Sequence, residues 1–268
     1  MAVEMQLKPE RVGDTHTKFP PSIAAENLWV RAFDKDILKG ITLDARRGAI
    51  LSIIGPAGAG KTTFLRCLNR MIDLDSDLKV TGKVRLHGSS VYDEGVDVSM
   101  LRRKVGVVFS VPVPLPMTVY QNLAFGLQLA QTPRSLYAER VEAALRAAYL
   151  WEEVKDRLDE PARNLSGGQQ QRLCLARTLA PEPEVLLLDE PCSGLDPIST
   201  RKIEEALQQL KSSLAIILVT NNVKQASRAS DRTAFFLFGE MVEFQATEML
   251  FTNPQDRRTG DYISGRFG

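Results

Sequence analysis

The sequence predicts an α/β fold in which a mostly parallel sheet is covered by helices on both faces. Apolar runs of strand length occur at residues 49–54, 185–188 and 215–219, and they are rich in β-branched or leucine side chains. Helical spacing follows at residues 169–179 and 200–210. A glycine-rich turn directly follows the first of the apolar runs. Short buried strands that alternate with helices are typical of parallel sheets.

Composition is typical of a globular protein and does not favour a nucleic-acid partner, a disulfide framework or a membrane span. The 268 residues are 44% hydrophobic and 25% charged, as in ordinary globular proteins. Lys and Arg number 34 against 33 Asp and Glu, so a net charge of +1 gives no electrostatic support for a nucleic-acid partner. Cys67, Cys174 and Cys192 lie far apart and are expected to be reduced thiols. No apolar run approaches the ~20 residues that cross a bilayer, so we expect any membrane role to come through a partner.

The N-terminal part of the chain predicts a β layer ahead of the glycine-rich turn. Residues 1–22 contain prolines and scattered charges, and we expect a flexible lead there, with the folded domain over residues 23–268. Alternating runs at residues 27–30 and 38–43 flank a polar turn, a pattern that indicates antiparallel strands. Residues 82–86 predict another strand beyond the first helix.

A helical lobe is predicted to interrupt the α/β pattern. Alternating prolines at residues 112–116 exclude a helix or a central strand and indicate an extended surface connector. Residues 118–129 and 135–158 then show helical spacing. We therefore predict a helical subdomain at about residues 112–163, inserted in the α/β core. After the core resumes, a hairpin is expected over residues 233–244.

The glycine-rich turn carries the strongest functional signal. It lies between a strand and a helix start, which is the context of a phosphate-binding P-loop. Backbone N–H groups and the helix N-terminus suit phosphate oxygens. Lys61 can reach the β and γ phosphates of a nucleoside triphosphate, and the Thr62 hydroxyl can ligate Mg²⁺. The predicted nucleotide-contacting residues are Gly55, Pro56, Ala57, Gly58, Ala59, Gly60, Lys61, Thr62 and Thr63.

Two adjacent acidic residues, Asp189 and Glu190, follow the apolar run 185–188. The carboxyl end of a parallel strand is where such sheets place their ligands. One carboxylate can hold Mg²⁺ while the next orients the attacking water as a base. The sequence thus predicts nucleotide hydrolysis, with Thr62 and Asp189 as metal ligands and with Lys61 and Glu190 as catalytic residues.

A second anion site is predicted at residues 165–169, Leu-Ser-Gly-Gly-Gln. The serine is a natural N-cap, and the paired glycines expose backbone N–H groups at the start of a helix. The residues expected to contact nucleotide here are Ser166, Gly167, Gly168 and Gln169. One bound triphosphate needs only one P-loop. A second anion site in the same polypeptide therefore needs another explanation.

With these motifs the sequence resembles the ATP-binding subunits of ABC transporters, over about residues 25–268. In that family Leu-Ser-Gly-Gly-Gln closes over ATP held by the P-loop of a partner subunit, and residues 193–196 match the D-loop at the subunit interface. The resemblance implies ATP and Mg²⁺ as cofactors and a second ATPase subunit, giving a homodimer. It also implies integral membrane permease subunits and a peripheral location on the cytoplasmic face of the membrane.

A narrower resemblance concerns the ATPase subunit of bacterial phosphate importers, at residues 69–74, 112–117, 251–254 and 261–268. It implies coupling of ATP hydrolysis to phosphate import, with an indirect link to a phosphate-binding protein. An importer of another substrate and a regulatory ABC module with little turnover are the alternatives. Soluble ABC ATPases acting on ribosomes or DNA usually carry two cassettes or a long coiled-coil insertion, and P-loop GTPases carry Asn-Lys-x-Asp; the sequence shows none of these.

Three positions depart from the family pattern. Ser110 stands where the family usually has a glutamine that contacts Mg²⁺ and the nucleophilic water, and Asn221 stands where it has a histidine that contacts the γ-phosphate. The aromatic that stacks on adenine would fall near Ala32, and we expect the adjacent Phe33 to serve. Asparagine donates a hydrogen bond without the charge of an imidazolium, and serine has a shorter reach than glutamine. The sequence therefore predicts slow or strongly partner-dependent hydrolysis.

Replacing Asn221 by His tests this expectation. One transition-state contact is commonly worth about a hundredfold in rate, so Asn221→His is expected to raise ATP turnover by up to about that factor. Turnover of the purified protein before and after the substitution is the measurement. Unchanged turnover would count against the idea that Asn221 in place of histidine slows hydrolysis.

Overall fold

The computed structural model describes residues 19–266, whose strands form two sheets. The strands are β1 (Pro21–Ala32), β2 (Lys35–Arg46), β3 (Ile50–Ile54), β4 (Leu78–Leu86), β5 (Ser89–Ser90), β6 (Val105–Val108), β7 (Val185–Asp189), β8 (Ala215–Val219), β9 (Arg232–Leu237) and β10 (Glu240–Ala246). The helices are α1 (Lys61–Leu68), α2 (Val98–Lys104), α3 (Val119–Leu129), α4 (Tyr137–Ala147), α5 (Trp151–Val154), α6 (Gly167–Leu179), α7 (Pro197–Leu210), α8 (Val223–Ala229), α9 (Thr247–Thr252) and α10 (Arg257–Ile263).

The larger sheet has the strand order β10-β9-β3-β8-β7-β6. From β9 to β6 all neighbours are parallel, and β10 pairs antiparallel with β9 as the predicted hairpin. Strands β3 and β8 are buried along their whole length. Full burial explains why these segments are continuous apolar runs rather than alternating ones. The predicted α/β fold is confirmed.

The smaller sheet is antiparallel, with the order β2-β1-β4-β5, and it confirms the predicted β layer. Helix α1 lies between the two sheets, where Phe64 contacts Phe236 edge to face at a centroid distance of 5.6 Å. Strand β1 begins at Pro21, which corrects the predicted lead by two residues, since residues 21–22 belong to the sheet. Residues 1–18 of that lead lie outside the described residues.

Each face of the larger sheet packs against a different layer. In β7, Val185 and Leu187 join the cluster shared with α1 and the antiparallel sheet, whereas Leu186 and Leu188 join the cluster shared with α3, α4, α6 and α7. Successive side chains of a strand point to opposite faces, so one short run supplies both cores. No helix within residues 19–266 combines the length and the apolar character that a membrane crossing requires.

Between β6 and α6 the chain is mainly helical. The segment with helical spacing at residues 135–158 is divided in the structure, because α4 ends at Ala147 and α5 begins at Trp151. Tyr149 has a φ of +53°, and the Leu150 amide donates to the Leu145 carbonyl at 2.9 Å, the hydrogen bond of a Schellman helix end. The domain boundary at residues 112–163 stays a prediction.

Leu123 tests how far the stability of the domain depends on the helical layer. Its side chain is fully buried, so Leu123→Ala is expected to cost about 2–5 kcal/mol of unfolding free energy through lost burial and a cavity. Leu129 lies on the same helix and is 58% exposed, so Leu129→Ala is expected to cost under about 0.5 kcal/mol. Urea unfolding measures the free energy of unfolding of both variants. Equal losses of stability would contradict the assignment of Leu123 to the core and of Leu129 to the surface.

Candidate nucleotide-binding site

Three parallel strands bring the site together at one edge of the larger sheet. In the register, Val219 of β8 lies beside Ile53 of β3 on one side and Asp189 of β7 on the other. Two backbone hydrogen bonds continue this alignment past the strand ends, from the Thr220 amide to the Ile53 carbonyl at 3.1 Å and from the Glu190 amide to the Val219 carbonyl at 2.8 Å. The P-loop and the acidic pair therefore leave the same edge of the sheet, on either side of the end of β8.

Close contacts with neighbouring strands explain two glycines of the P-loop. A Cβ on Gly55 would lie 2.2 Å from the Phe236 carbonyl oxygen, and a Cβ on Gly60 would lie 2.6 Å from Leu38 Cδ2. Gly60 also has a φ of +97°, a conformation that L side chains rarely adopt. Any larger residue would displace either β9 or β2, so the loop is shaped by both sheets.

Lys61 lies at the start of α1 with its side chain folded back over the loop. Its Nζ donates to the carbonyls of Gly55 at 2.8 Å and Pro56 at 2.9 Å, and the residue is 6% exposed. Burial lowers the pKa of Lys61, whereas the nearby carboxylates of Glu190 and Asp189 raise it. The ammonium is thus held at the centre of the loop, where phosphate oxygens can replace the carbonyls.

Thr62 and Asp189 are joined directly. The Thr62 hydroxyl donates to Asp189 Oδ1 at 3.1 Å. Burial raises the pKa of Asp189, while the Thr62 hydrogen bond and the charge of Lys61 lower it. One hydroxyl and one carboxylate are oxygen donors of the kind Mg²⁺ takes, with phosphate oxygens and water completing its shell. Residues 19–266 contain no group of three or more His, Cys, Asp or Glu placed to hold a metal ion.

Glu190 and Asn221 line one cleft of about 770 Å³, together with residues from the turn before α7 and from α8. Glu190 has a φ of +49°, a left-handed conformation that a non-glycine residue adopts at a cost. Asn221 is exposed. Its neighbour Asn222 caps α8 by accepting from the Gln225 amide at 3.1 Å. The structure thus brings the sequence-predicted acid and the position of the family's histidine to the same cavity.

Ser110 follows β6 and is partly exposed. The preceding residue, Phe109, accepts a 2.7 Å hydrogen bond at its carbonyl from Gln171 Nε2, and Gln171 lies on α6 and is 1% exposed. The segment that carries Ser110 is therefore tied to the helix that begins at the second anion site.

The second anion site has the geometry of a capped helix. The Ser166 hydroxyl accepts from the Gln169 amide at 3.4 Å, and Gln169 Oε1 accepts from the Ser166 amide at 3.0 Å, which together form a capping box. Ser166 and Gly167 are exposed, and Gly168 is buried. We call residues 166–169 the signature turn. Its side-chain hydrogen bonds stay within the turn or reach Glu153, and in residues 19–266 none joins it to the P-loop.

The predicted residues therefore form two groups. The P-loop, Asp189, Glu190 and Asn221 meet at one edge of the sheet, whereas the signature turn lies at the start of α6 and, within residues 19–266, has no hydrogen bond to the P-loop. Phe33 lies in the turn between β1 and β2 with 80% of its surface exposed. An exposed ring at this place is available for stacking on a base.

Sequence reasoning assigned no role to Tyr262, which the structure places against the P-loop. Its ring stacks on Phe235 at 4.9 Å between centroids. Burial raises the pKa of Tyr262, a hydrogen bond with the backbone of Gly55 lowers it, and the charge of Glu190 raises it. The C-terminal segment thus touches the phosphate site. No local pattern predicts this contact, because it joins residues about 200 positions apart.

This fold and site define a nucleotide-binding protein of the P-loop class. The family model described as ABC transporter matches residues 38–193. The chain belongs to the ABC transporter family.

Among curated proteins, it is similar to the phosphate import ATP-binding proteins PstB 5 of Trichormus variabilis and PstB 2 of a Nostoc species. Each is 48% identical over 254 residues, which is 92% of this chain and 98% of the relative.

Solved structures with the same fold belong to ABC transporters of different kinds. CbiO1 from Clostridium perfringens, part of the ABC transporter complex cbiONQ, has a TM-score of 0.77 and 26% identity, covering 92% of this chain and 96% of that one. A bacterial Atm1-family ABC exporter with ATP bound has a TM-score of 0.76 and 25% identity, covering 92% of this chain and 42% of that one.

Gly168 provides a test of how the signature turn is supported. A Cβ there would lie 2.0 Å from Ser199 Oγ, so Gly168→Ala is expected to cost about 1–3 kcal/mol of stability through overpacking against α7. A Cβ on Gly167 meets nothing within 4 Å, so Gly167→Ala is expected to cost nothing. Thermal unfolding of the two variants is the measurement, and similar melting temperatures would contradict the contact.

Proposed function

We propose that this chain is the ATP-binding subunit of an ABC importer and couples ATP hydrolysis to import of inorganic phosphate. The observation that carries the proposal is the meeting of Lys61, Thr62, Asp189 and Glu190 at the carboxyl edge of three parallel strands. Support for phosphate as cargo comes from the 48% identity to two proteins named as phosphate import ATP-binding proteins.

The residues of the P-loop bind and orient the triphosphate. Backbone N–H groups of the glycines in the loop and of the start of α1 bind phosphate oxygens, and Lys61 exchanges its two carbonyl partners for the β and γ phosphates. Thr62 and Asp189 would hold Mg²⁺, which supplies neutralisation of the phosphate charge. Phe33 stacks on the adenine.

Glu190 supplies the base. Its carboxylate lies in a cleft beside Asn221, and its backbone conformation is fixed by the hydrogen bond to Val219. The carboxylate accepts a proton from the attacking water, whose oxygen bonds to the γ-phosphorus as the bond to the ADP oxygen breaks. Asn221 and Ser110 donate neutral hydrogen bonds to the phosphate and the water.

A second copy of the chain completes the site. The signature turn offers a hydroxyl and helix-start N–H groups, but its hydrogen bonds do not reach the P-loop of its own chain within residues 19–266. Two copies facing each other would place each turn over the phosphates held by the other. The dimer works on permease subunits at the cytoplasmic face of the membrane, and a phosphate-binding protein delivers the cargo to them.

A regulatory module that binds ATP with little turnover is the second candidate function. The observation that favours it is the neutral, exposed Asn221 beside Glu190, where an imidazolium would add charge to the transition state. The presence of Glu190 in the same cleft favours hydrolysis.

Replacement of the general base Glu190 distinguishes an importer subunit that hydrolyses ATP from a regulatory module. Glu190→Gln keeps the shape of the side chain and loses the proton acceptor, so we expect ATP binding to persist and turnover to fall by about 10²- to 10⁴-fold. The matched control is Glu94→Gln, at an exposed position in the loop before α2, which is expected to leave both unchanged. Wild-type turnover no faster than that of Glu190→Gln would support the regulatory module instead.

Cargo is tested in the complete complex. Membrane proteins that co-purify with the full chain are reconstituted with it, and ATP turnover is measured with phosphate and with sulfate. Stimulation by phosphate alone is the expected result. Stimulation by another solute would leave the ATPase assignment standing and overturn the cargo.

A further inference from the structure

Glu153 has a carboxylate that connects the helical region to the signature turn and to α7. The residue belongs to the short helix α5, whereas the hydrogen-bond donors to its carboxylate lie on α6, which includes Gln169 of the signature turn, and on α7. The Schellman turn at Tyr149 sets the direction of α5 relative to α4. Neither the P-loop chemistry nor the family match assigns this residue a role.

Four hydrogen bonds converge on the Glu153 carboxylate. Arg172 donates through both guanidinium ends, at 2.6 Å to Oε1 and 3.1 Å to Oε2. Lys202 Nζ donates to Oε1 at 2.6 Å, and Gln169 Nε2 donates to Oε2 at 2.9 Å. Paired guanidinium and carboxylate groups are directional as well as strong, so the carboxylate is fixed in position.

The contact with Gln169 fixes the orientation of a residue in the signature turn. The amide of Gln169 has one donor end and one acceptor end. Its oxygen accepts from the Ser166 backbone amide at 3.0 Å, and its nitrogen donates to Glu153. A reversed amide would place oxygen against carboxylate and N–H against N–H, so only one orientation satisfies both neighbours.

Burial and charge indicate that the Glu153 carboxylate stays ionised in the cluster that it forms with Arg172, Lys202 and Gln169. The side chain of Arg172 is 3% exposed and that of Glu153 is 28% exposed. Burial raises the pKa of Glu153, but hydrogen bonds from Arg172, Lys202 and Gln169 lower it to about 2. The carboxylate is therefore charged at neutral pH.

The same cluster connects the turn to α7. Lys202 lies on α7, whose N-cap is Asp196, and Ser199 of the same helix lies directly under Gly168. Asp196 Oδ2 accepts from the Ser199 hydroxyl at 2.6 Å. The signature turn is thus supported on one side by Glu153 and on the other by the first turn of α7.

We propose that Glu153 is a positioning residue that holds the signature turn in the geometry needed to close over nucleotide bound to a second subunit. The proposal rests on the proposed function, because the turn acts on the nucleotide of another chain. It concerns closure of the dimer and leaves binding of ATP to the P-loop of the same chain unaffected.

The test uses the full chain in the Glu190→Gln background, where blocked hydrolysis lets an ATP-bound dimer accumulate. Glu153→Gln removes the charge that orders Arg172 and Lys202, and Glu152→Gln on the same helix is the matched control, since Glu152 is exposed and pairs only with Arg146 and Lys155 among the described residues. Sedimentation against ATP concentration measures dimerisation, and a fluorescent ATP analogue at low protein concentration measures binding to the monomer.

We expect Glu153→Gln to raise the ATP concentration for half-maximal dimerisation by about 10- to 100-fold while monomer affinity stays within about twofold. Glu152→Gln is expected to change neither. The second variant, Glu153→Asp, keeps the charge and withdraws the carboxylate from Gln169. It is also expected to weaken dimerisation, and it keeps the test valid if Glu153→Gln fails to fold.

Two results would overturn the proposal for Glu153 and leave the proposed function standing. Unchanged dimerisation in both Glu153 variants would remove the positioning role, and parallel loss of monomer affinity would assign Glu153 to general stability of the fold. A third result would overturn the proposed function as well: no ATP-dependent dimer in the Glu190→Gln background itself. The background protein therefore distinguishes the two failures.

Discussion

The parallel register of β3, β8 and β7 is the constraint on which the rest of the site depends. It places Ile53, Val219 and Asp189 in one row, so the loops that follow these strands leave the sheet together. The 3.1 Å hydrogen bond from Thr62 to Asp189 is a consequence, because the loop after β3 and the end of β7 lie on the same edge of the sheet, with only β8 between the two strands. A slip by one residue would turn every side chain of β7 to the opposite face and separate the pair.

The antiparallel sheet supports the P-loop rather than merely covering the core. The Gly239 amide donates to the Ala59 carbonyl at 3.3 Å, and the Gly239 carbonyl accepts from the Lys39 amide of β2 at 2.8 Å. Gly60 lies against Leu38 of the same strand. The loop is therefore enclosed by backbone from β2 and from the β9–β10 turn, which preorganises its N–H groups before a phosphate arrives.

The two predicted anion sites of the chain differ in the contacts that support them. The P-loop is rigid through close backbone contacts, whereas the signature turn depends on side chains from α5 and α7. Gln171 on α6 also reaches the carboxyl end of β6, next to Ser110. The helical region is therefore tied to the signature turn through Glu153, and α6 is tied to the Ser110 segment through Gln171.

The sequence by itself determined the α/β class, the P-loop, the acidic pair and the capped turn at Ser166, because each depends on residues close together in the chain. Backbone conformation and capping are local properties, and the spacing of apolar residues indicates which face of an element is suited to burial. Tertiary structure alone decided that Glu153 meets Gln169 and that Tyr262 lies against Gly55, because both contacts join separate elements. The end of α4 at Ala147 was likewise hidden, since the left-handed residue that follows it, Tyr149, is not the glycine that usually marks such an end.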